Sequence, residues 1–259
     1  MDIIDYYDFT IRLARKAGMI LLQNYRGDFK VDFKGGQKNN LVTEVDRKSE
    51  KFLVDAIKKK FPDHCFLSEE SGDCAIAKSA CRWIIDPIDG TTNYAHGHPF
   101  FCISIALEID GKIVLGVIYA PKLDELFRAA VGHGAYLNNE TIKVSSVKKL
   151  ESALLATGFP PRARERNLPF FQKIIPKSQG IRRAGSAALD LAYVACGRLD
   201  GYWEFSLCPW DIAAGKLLIT EAGGKISAVD GGPFELEGDN LLASNGHIHN
   251  ELARELKAD

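Results

Sequence analysis

The sequence predicts an α+β protein built of stacked layers. Two amphipathic helical stretches open the chain, and a strand-rich stretch with a tight hairpin follows. The second half then mixes strands and helices without the strict alternation that a barrel requires.

The first helix is expected over 5–25, where Phe9, Leu13, Ala17, Ile20, Leu21 and Asn24 recur at three- and four-residue steps before Gly27. A polar loop at 35–40 leads to a second helix over 43–60. Thr43 can cap it, with Asp46 at the capping-box position and Pro62 beyond its end. Strands are expected at 64–67 and 82–85, then at 101–109 and 112–119 around Asp110-Gly111, a strong hairpin dipeptide. Two more follow at 126–130 and 135–137, with Asn138-Asn139 as a turn. Past about residue 150 come a strand at 153–157, a helix at 165–175 and a helix at 186–196. Ser186 caps the latter and Gly197 lies past its end. A strand at 199–205, a helix at 211–222 closed by Gly223-Gly224, strands at 225–229 and 241–243, and a helix at 247–257 complete the chain.

The 259 residues suit one large domain or two fused layers. A net charge of -1 gives no global basic field for nucleic acid. The loop arginines Arg162, Arg164, Arg166, Arg182 and Arg183 read as a solvated face. Six cysteines contain no C-x-x-C pair, which argues against structural zinc and for reduced, buried thiols. The acidic start, Met1-Asp2-Ile3-Ile4-Asp5, lacks a signal-peptide pattern, and no apolar run spans a bilayer. A cytoplasmic protein without membrane or nucleic-acid partners is expected.

The most informative segment is Asp86-Pro87-Ile88-Asp89-Gly90-Thr91-Thr92, after the apolar run Trp83-Ile84-Ile85. A turn leaving the strand there can aim Asp86, the Ile88 carbonyl and Asp89 into one volume. An all-oxygen set suits a hard cation such as Mg²⁺. Gly90, Thr91 and Thr92 add N–H groups and hydroxyls suited to a phosphate oxygen. Three further acidic sites stand at element ends: Asp46, Glu69-Glu70 and Asp211. Singly, Asp46 and Asp211 are explained by the helix dipole, at roughly 0.3–1 kcal/mol each.

In order, Asp46, Glu69-Glu70, the 86–92 motif, Trp210-Asp211 and Gly223-Gly224 match the signature of the lithium-sensitive, Mg²⁺-dependent phosphatases. With the 83–93 motif, the Gly185-Ser186-Ala187-Ala188 turn and the 210–224 helix, the chain resembles the inositol monophosphatase family over nearly its whole length. The resemblance implies an αβαβα sandwich of the inositol monophosphatase and fructose-1,6-bisphosphatase type, with the site between two sheets. It implies a single catalytic unit over 1–259, whose half at about 1–150 carries most metal ligands and whose half at about 151–259 completes the site. One Mg²⁺ would be held by Glu69, Asp86 and the Ile88 carbonyl, a second by Asp86, Asp89 and Asp211, and a weaker third near Glu69. Glu69, and Thr91 with Asp46, would activate water. Gly90 and Thr91 would hold phosphate, while Asp89, Gly185, Ala187, Glu204 and Asp211 would face the sugar. A homodimer and inhibition by Li⁺ belong to the same resemblance. Pro160-Pro161 departs from the animal enzymes and leaves fructose 1,6-bisphosphate as a further substrate; histidinol phosphate and 3′-phosphoadenosine 5′-phosphate are the substrates of the other phosphatases that stand as alternatives. A regulatory partner of the transcription machinery is the non-enzymatic alternative. His96 and His98, despite their spacing, receive a loop or interface role.

Overall fold

The structure is a computed structural model that describes residues 3–33, 41–73, 79–160 and 164–257. The polar loop at 35–40, Met1, Asp2, Cys74, Pro161 and Arg162 lie outside the described residues.

Helix α1 (Ile3–Asn24) leads through strands β1 (Val31–Phe33) and β2 (Leu41–Thr43) to α2 (Glu44–Lys60). Thr43 and Asp46 form the capping box expected there. Strands β3 (Cys65–Ser68), β4 (Gly72–Asp73) and β5 (Cys81–Asp89) follow, then the short helix α3 (Thr91–Ala95). The meander β6 (Cys102–Ile109), β7 (Lys112–Ala120), β8 (Glu125–Ala130), β9 (Ala135–Leu137) and β10 (Glu140–Ile142) completes an eight-stranded sheet. Its order is β10-β9-β8-β7-β6-β5-β3-β4. Asp110 and Gly111 both take positive φ between β6 and β7, as a tight hairpin turn demands. The second half supplies β11 (Leu154–Thr157), α4 (Arg164–Ile174), β12 (Gly180–Arg182), α5 (Ala187–Ala195) and β13 (Gly201–Phe205). It ends with α6 (Pro209–Glu221), β14 (Lys225–Ser227), β15 (Asn240–Ser244) and α7 (His249–Glu255). Its five-stranded sheet runs β12-β11-β13-β15-β14.

The layers follow from which face each strand buries. On β5 and β6, Trp83, Ile85, Ile103 and Ile105 pack with α1 and α2, whereas Ile84, Cys102 and Ala106 pack with α5 and α6. Both faces are apolar, so these strands read as continuous hydrophobic runs. Leu155, Trp203 and Leu242 form a third core with α4 and α7 on the far side of the smaller sheet. The order is therefore helices, large sheet, α5 and α6, small sheet, helices: an αβαβα sandwich.

Strand β5 departs from the sequence expectation. It continues through Asp86-Pro87-Ile88-Asp89, and the turn begins only at Gly90. Asp86 pairs with Ser104 and Asp89 with Cys102, so three steps on β5 oppose two on β6: a β-bulge. Pro87 has no N–H to offer a ladder and is tolerated at such a break. Residues three apart on a regular strand face opposite ways, and one extra residue restores them to the same side. Ile85 and Ile88 accordingly share one core, and Asp86 and Asp89 turn together to the other face.

A glycine on β7 lets α6 approach the large sheet with backbone contact. A Cβ at Gly116 would lie 2.8 Å from the Ala214 carbonyl oxygen and 2.9 Å from its Cα, inside α6. Gly116→Ala must push α6 off the sheet, and a loss of about 1–3 kcal/mol is expected in denaturant unfolding. Unchanged stability would show that the two layers have slack.

Candidate active site

Three acids converge where β5 ends and α6 begins. One carboxylate oxygen from each of Asp86, Asp89 and Asp211 lies within 4.8 Å of the others. Asp86 and Asp89 are buried and Asp211 is half-buried. Each is fixed by a local donor. The Ile88 N–H donates to Asp86 Oδ1 at 2.9 Å. The Ser186 hydroxyl and the Ala188 N–H donate to Asp89 Oδ2 at 2.6 and 2.7 Å, at the start of α5. The Cys208 N–H donates to Asp211 Oδ2 at 2.7 Å, at the start of α6. Two helix N-termini thus meet the acids with favourable dipoles.

Those donors do not cancel the cost of crowding. Burial, and then the charges of Glu69, Asp89 and Asp211, hold the Asp86 carboxyl well above the usual range. Burial, followed by Asp89 and Glu69, does the same to Asp211. Asp89 is pushed up to about 6 by burial, with the Ser186 and Ala188 hydrogen bonds pulling the other way. Such a set resists full ionisation unless a cation joins it. Its donors are all oxygen, and that is the chemistry of Mg²⁺ rather than zinc. The residues present fit a hard divalent ion.

Thr91 and Asp46 form the second element. The Thr91 hydroxyl lies 2.9 Å from Asp46 Oδ1 and 3.0 Å from the Ile88 carbonyl oxygen. One hydroxyl proton serves one acceptor at a time, and ionised Asp46 is the stronger. Asp46 Oδ2 accepts from the Thr43 N–H and hydroxyl at 2.8 and 2.5 Å. Burial lifts the Asp46 pKa to about 6 against those bonds. Gly90 takes φ 94°, and a Cβ there would stand 3.0 Å from the Phe100 carbonyl, so glycine is required. The first N–H groups of α3 have no carbonyl behind them within the helix.

Glu69, Asp89, Gly90, Thr91, Gly185, Ala187, Glu204 and Asp211 line one cavity of about 190 Å³. Glu69 lines it without joining the 4.8 Å group, and Asp46 reaches it through Thr91. Glu204 is buried, accepts from the Tyr202 hydroxyl, and is pushed to about 7 by burial. Sequence reasoning missed what makes room for it: a Cβ on Gly158 would fall 2.0 Å from the Glu204 carboxylate. It also missed Ser186 as a donor to Asp89, having read only its cap. Arg183 and Asp190 border the cavity too. Arg166 is held by Asp239 and lies over the Phe205 ring. The His96 N–H ends α3 on the Thr92 carbonyl, and neither His96 nor His98 joins the acidic group.

Fold and site together define a class: a layered α/β protein whose middle helices open onto a buried acidic cage fit for a hard cation. The model of the inositol monophosphatase family matches residues 3–258, and the chain belongs to that family. It is 47% identical over 226 residues to an inositol-1-monophosphatase of Synechocystis, covering 86% of this chain and 79% of that one. It is 41% identical over 244 residues to the Nus factor SuhB of Escherichia coli, covering 93% and 91%. The solved inositol monophosphatase of Anabaena superposes with a TM-score of 0.89 at 43% identity, over 99% of this chain and 96% of that one.

The raised carboxyls fix the sign of a pH effect. A carboxyl whose pKa is higher folded than unfolded stabilises the fold while protonated, and that stability is lost as pH rises through the folded value. Asp46 and Asp89 place the loss between their ordinary value of 3.8 and about 6, Glu204 between 4.5 and about 7, and Asp86 and Asp211 add to it with the same sign. His249, lowered to about 4 by burial, acts oppositely, but only below its ordinary value of 6.5. In EDTA, the melting temperature is expected to fall as pH rises from about 5 to 7, the five acids outweighing His249, and Mg²⁺ is expected to reverse the fall. A metal-free melting temperature that rises across this window would contradict the repulsion.

Proposed function

We propose that the chain is a Mg²⁺-dependent phosphomonoester hydrolase acting on inositol 1-phosphate or a related polyol phosphate. The observation that carries it is the convergence of Asp86, Asp89 and Asp211 beside the Gly90-Thr91 cradle. Asp86, Asp89, Asp211, the Ile88 carbonyl and Glu69 would hold two ions, and a weaker third near Glu69 belongs to the same reading. Bound there, Mg²⁺ supplies positive charge to phosphoryl oxygens and lowers the pKa of a coordinated water.

The chain's own groups do the rest. Thr91 donates its proton to Asp46 and turns its lone pairs toward the cavity, where they accept from the attacking water. Asp46, poised near neutrality, takes up the proton that the water releases. The N–H groups of Gly90 and Thr91 hold phosphate oxygens. Glu204 accepts from polyol hydroxyls at the other end of the cavity, beside Gly185 and Ala187. A single catalytic unit working as a homodimer belongs to the same proposal. The name of the E. coli relative favours a second reading, a regulatory binding protein. The convergence of Asp86, Asp89 and Asp211 favours the hydrolase.

Phosphate release from inositol 1-phosphate, fructose 1,6-bisphosphate, histidinol phosphate and 3′-phosphoadenosine 5′-phosphate, with Mg²⁺ and with EDTA, tests the reading. Release from inositol 1-phosphate with Mg²⁺ alone is expected, and silence on all four substrates would refute it. Asp86→Asn and Asp211→Asn should each lower kcat by orders of magnitude at saturating Mg²⁺; wild-type turnover in either would remove that residue from the cage. Glu204→Gln should raise KM for inositol 1-phosphate by about tenfold or more, the worth of a hydrogen bond to a charged group. An unchanged KM would place the sugar elsewhere.

A further inference from the structure

Glu50 on α2 is 3% exposed, and its hydrogen bonds come from one distant turn. The Glu70 N–H donates to its Oε2 at 2.9 Å, and the Ser71 hydroxyl donates to its Oε1. The cations beside it on the helix are engaged elsewhere: Arg47 pairs with Asp32 and Lys51 with Asp55. A carboxylate kept from water needs such donors to offset its lost hydration. They belong to the turn after β3, whose first residue is Glu69. The Glu69 N–H in turn donates to the Ile85 carbonyl of β5 at 3.3 Å. The Glu69 peptide is therefore pinned on both sides, to β5 through its own N–H and to α2 through the next.

Glu50 does not act alone on this face. Asp46, Ser49 and Glu50 stand at helical steps of three and four, so they project together. Asp46 holds the Thr91 hydroxyl, Ser49 donates to the Pro87 carbonyl at 3.3 Å, and Glu50 holds the 70–71 backbone and hydroxyl. One helix face thus touches the Pro87 segment of β5, the 70–71 turn and Thr91 of α3.

We propose that Glu50 is a positioning residue for the cation cage, clamping the 69–71 turn so that the Glu69 carboxylate is delivered to the cavity. It rests on the reading of Glu69 as a cation ligand. Groups that orient ligands from outside commonly change metal affinity by about 10- to 100-fold. Glutamine at 50 keeps the size but offers one acceptor oxygen for two donors, and its amide presents hydrogens to the other.

The test is Mn²⁺ binding, followed by the electron paramagnetic resonance of the free ion, in the wild type, Glu50→Gln, Glu69→Gln and the double variant. Glu50→Gln is expected to raise the Mn²⁺ dissociation constant about tenfold. It should raise the half-saturating Mg²⁺ for turnover by a similar factor, with kcat recovering at high Mg²⁺. The double variant should bind no more weakly than Glu69→Gln alone, because Glu50 acts through Glu69. Should Glu50→Gln not fold, Ser71→Ala removes one donor at the surface and is expected to shift affinity the same way. Weakened binding in Glu69→Gln with unchanged binding in Glu50→Gln overturns the clamp alone, as do fully additive losses in the double variant. Wild-type affinity in Glu69→Gln overturns the ligand reading and the clamp with it.

Discussion

Repulsion among buried carboxylates is the constraint on which the rest of this structure depends. Asp86, Asp89 and Asp211 place oxygens within 4.8 Å of one another, in a region that excludes most water. Like charges at that spacing cost several kcal/mol each at an effective dielectric near 20. The fold tolerates them because each acid is anchored by backbone or hydroxyl donors, two of the three at helix N-termini. Those anchors hold position without removing charge. The remaining imbalance is what a divalent ion would satisfy, so cation affinity and the cost of folding the cage are two readings of one free energy.

The bulge in β5 converts that constraint into geometry. Without the extra residue, Asp86 and Asp89 would face opposite layers, one of them into the apolar core beneath α1 and α2. With it, both turn toward α5 and α6, and Ile85 and Ile88 both fill the core behind. A proline inside the strand, which ordinarily argues against a central position, here marks the break that the site needs. The Ser49 hydroxyl takes up the Pro87 carbonyl, so α2 supports the irregular segment from behind.

What the sequence revealed follows from where the information sits. The amphipathic helices, the Asp110-Gly111 hairpin, the Thr43–Asp46 cap and the Ser186 cap are local devices, and periodicity or residue chemistry declares each one. The strands β1, β2, β4, β10 and β12 and the helix α3 were not expected, because two to five residues hold no periodic signal; β1 is exposed throughout. The 86–92 motif announced an oxygen-lined site, but its continuation as bulged strand depends on pairing with β6, which no window around residue 86 contains. Gly158 against Glu204 and Glu50 against the 70–71 turn are longer-range still, 46 and 20 residues apart in the first contact of each. The glycine reads only as a loop residue and the glutamate as one more charge on a polar helix face. Their meaning appears when the partner does.

The division of labour between the two sheets adds a last consequence. Asp86 and Asp89 arrive from the large sheet, whereas Asp211 and Glu204 come from α6 and from β13 of the small one. No half carries a complete cage, so the packing of α6 on β7 is part of the site. Asp211 stands three residues before Ala214, the residue whose backbone touches Gly116. Three residues are less than one helical turn, so the seat of α6 on that glycine sets the height at which Asp211 meets Asp86. The absent side chain on β7 and the carboxylate on α6 are one structural feature, because a methyl group at the first would displace the second.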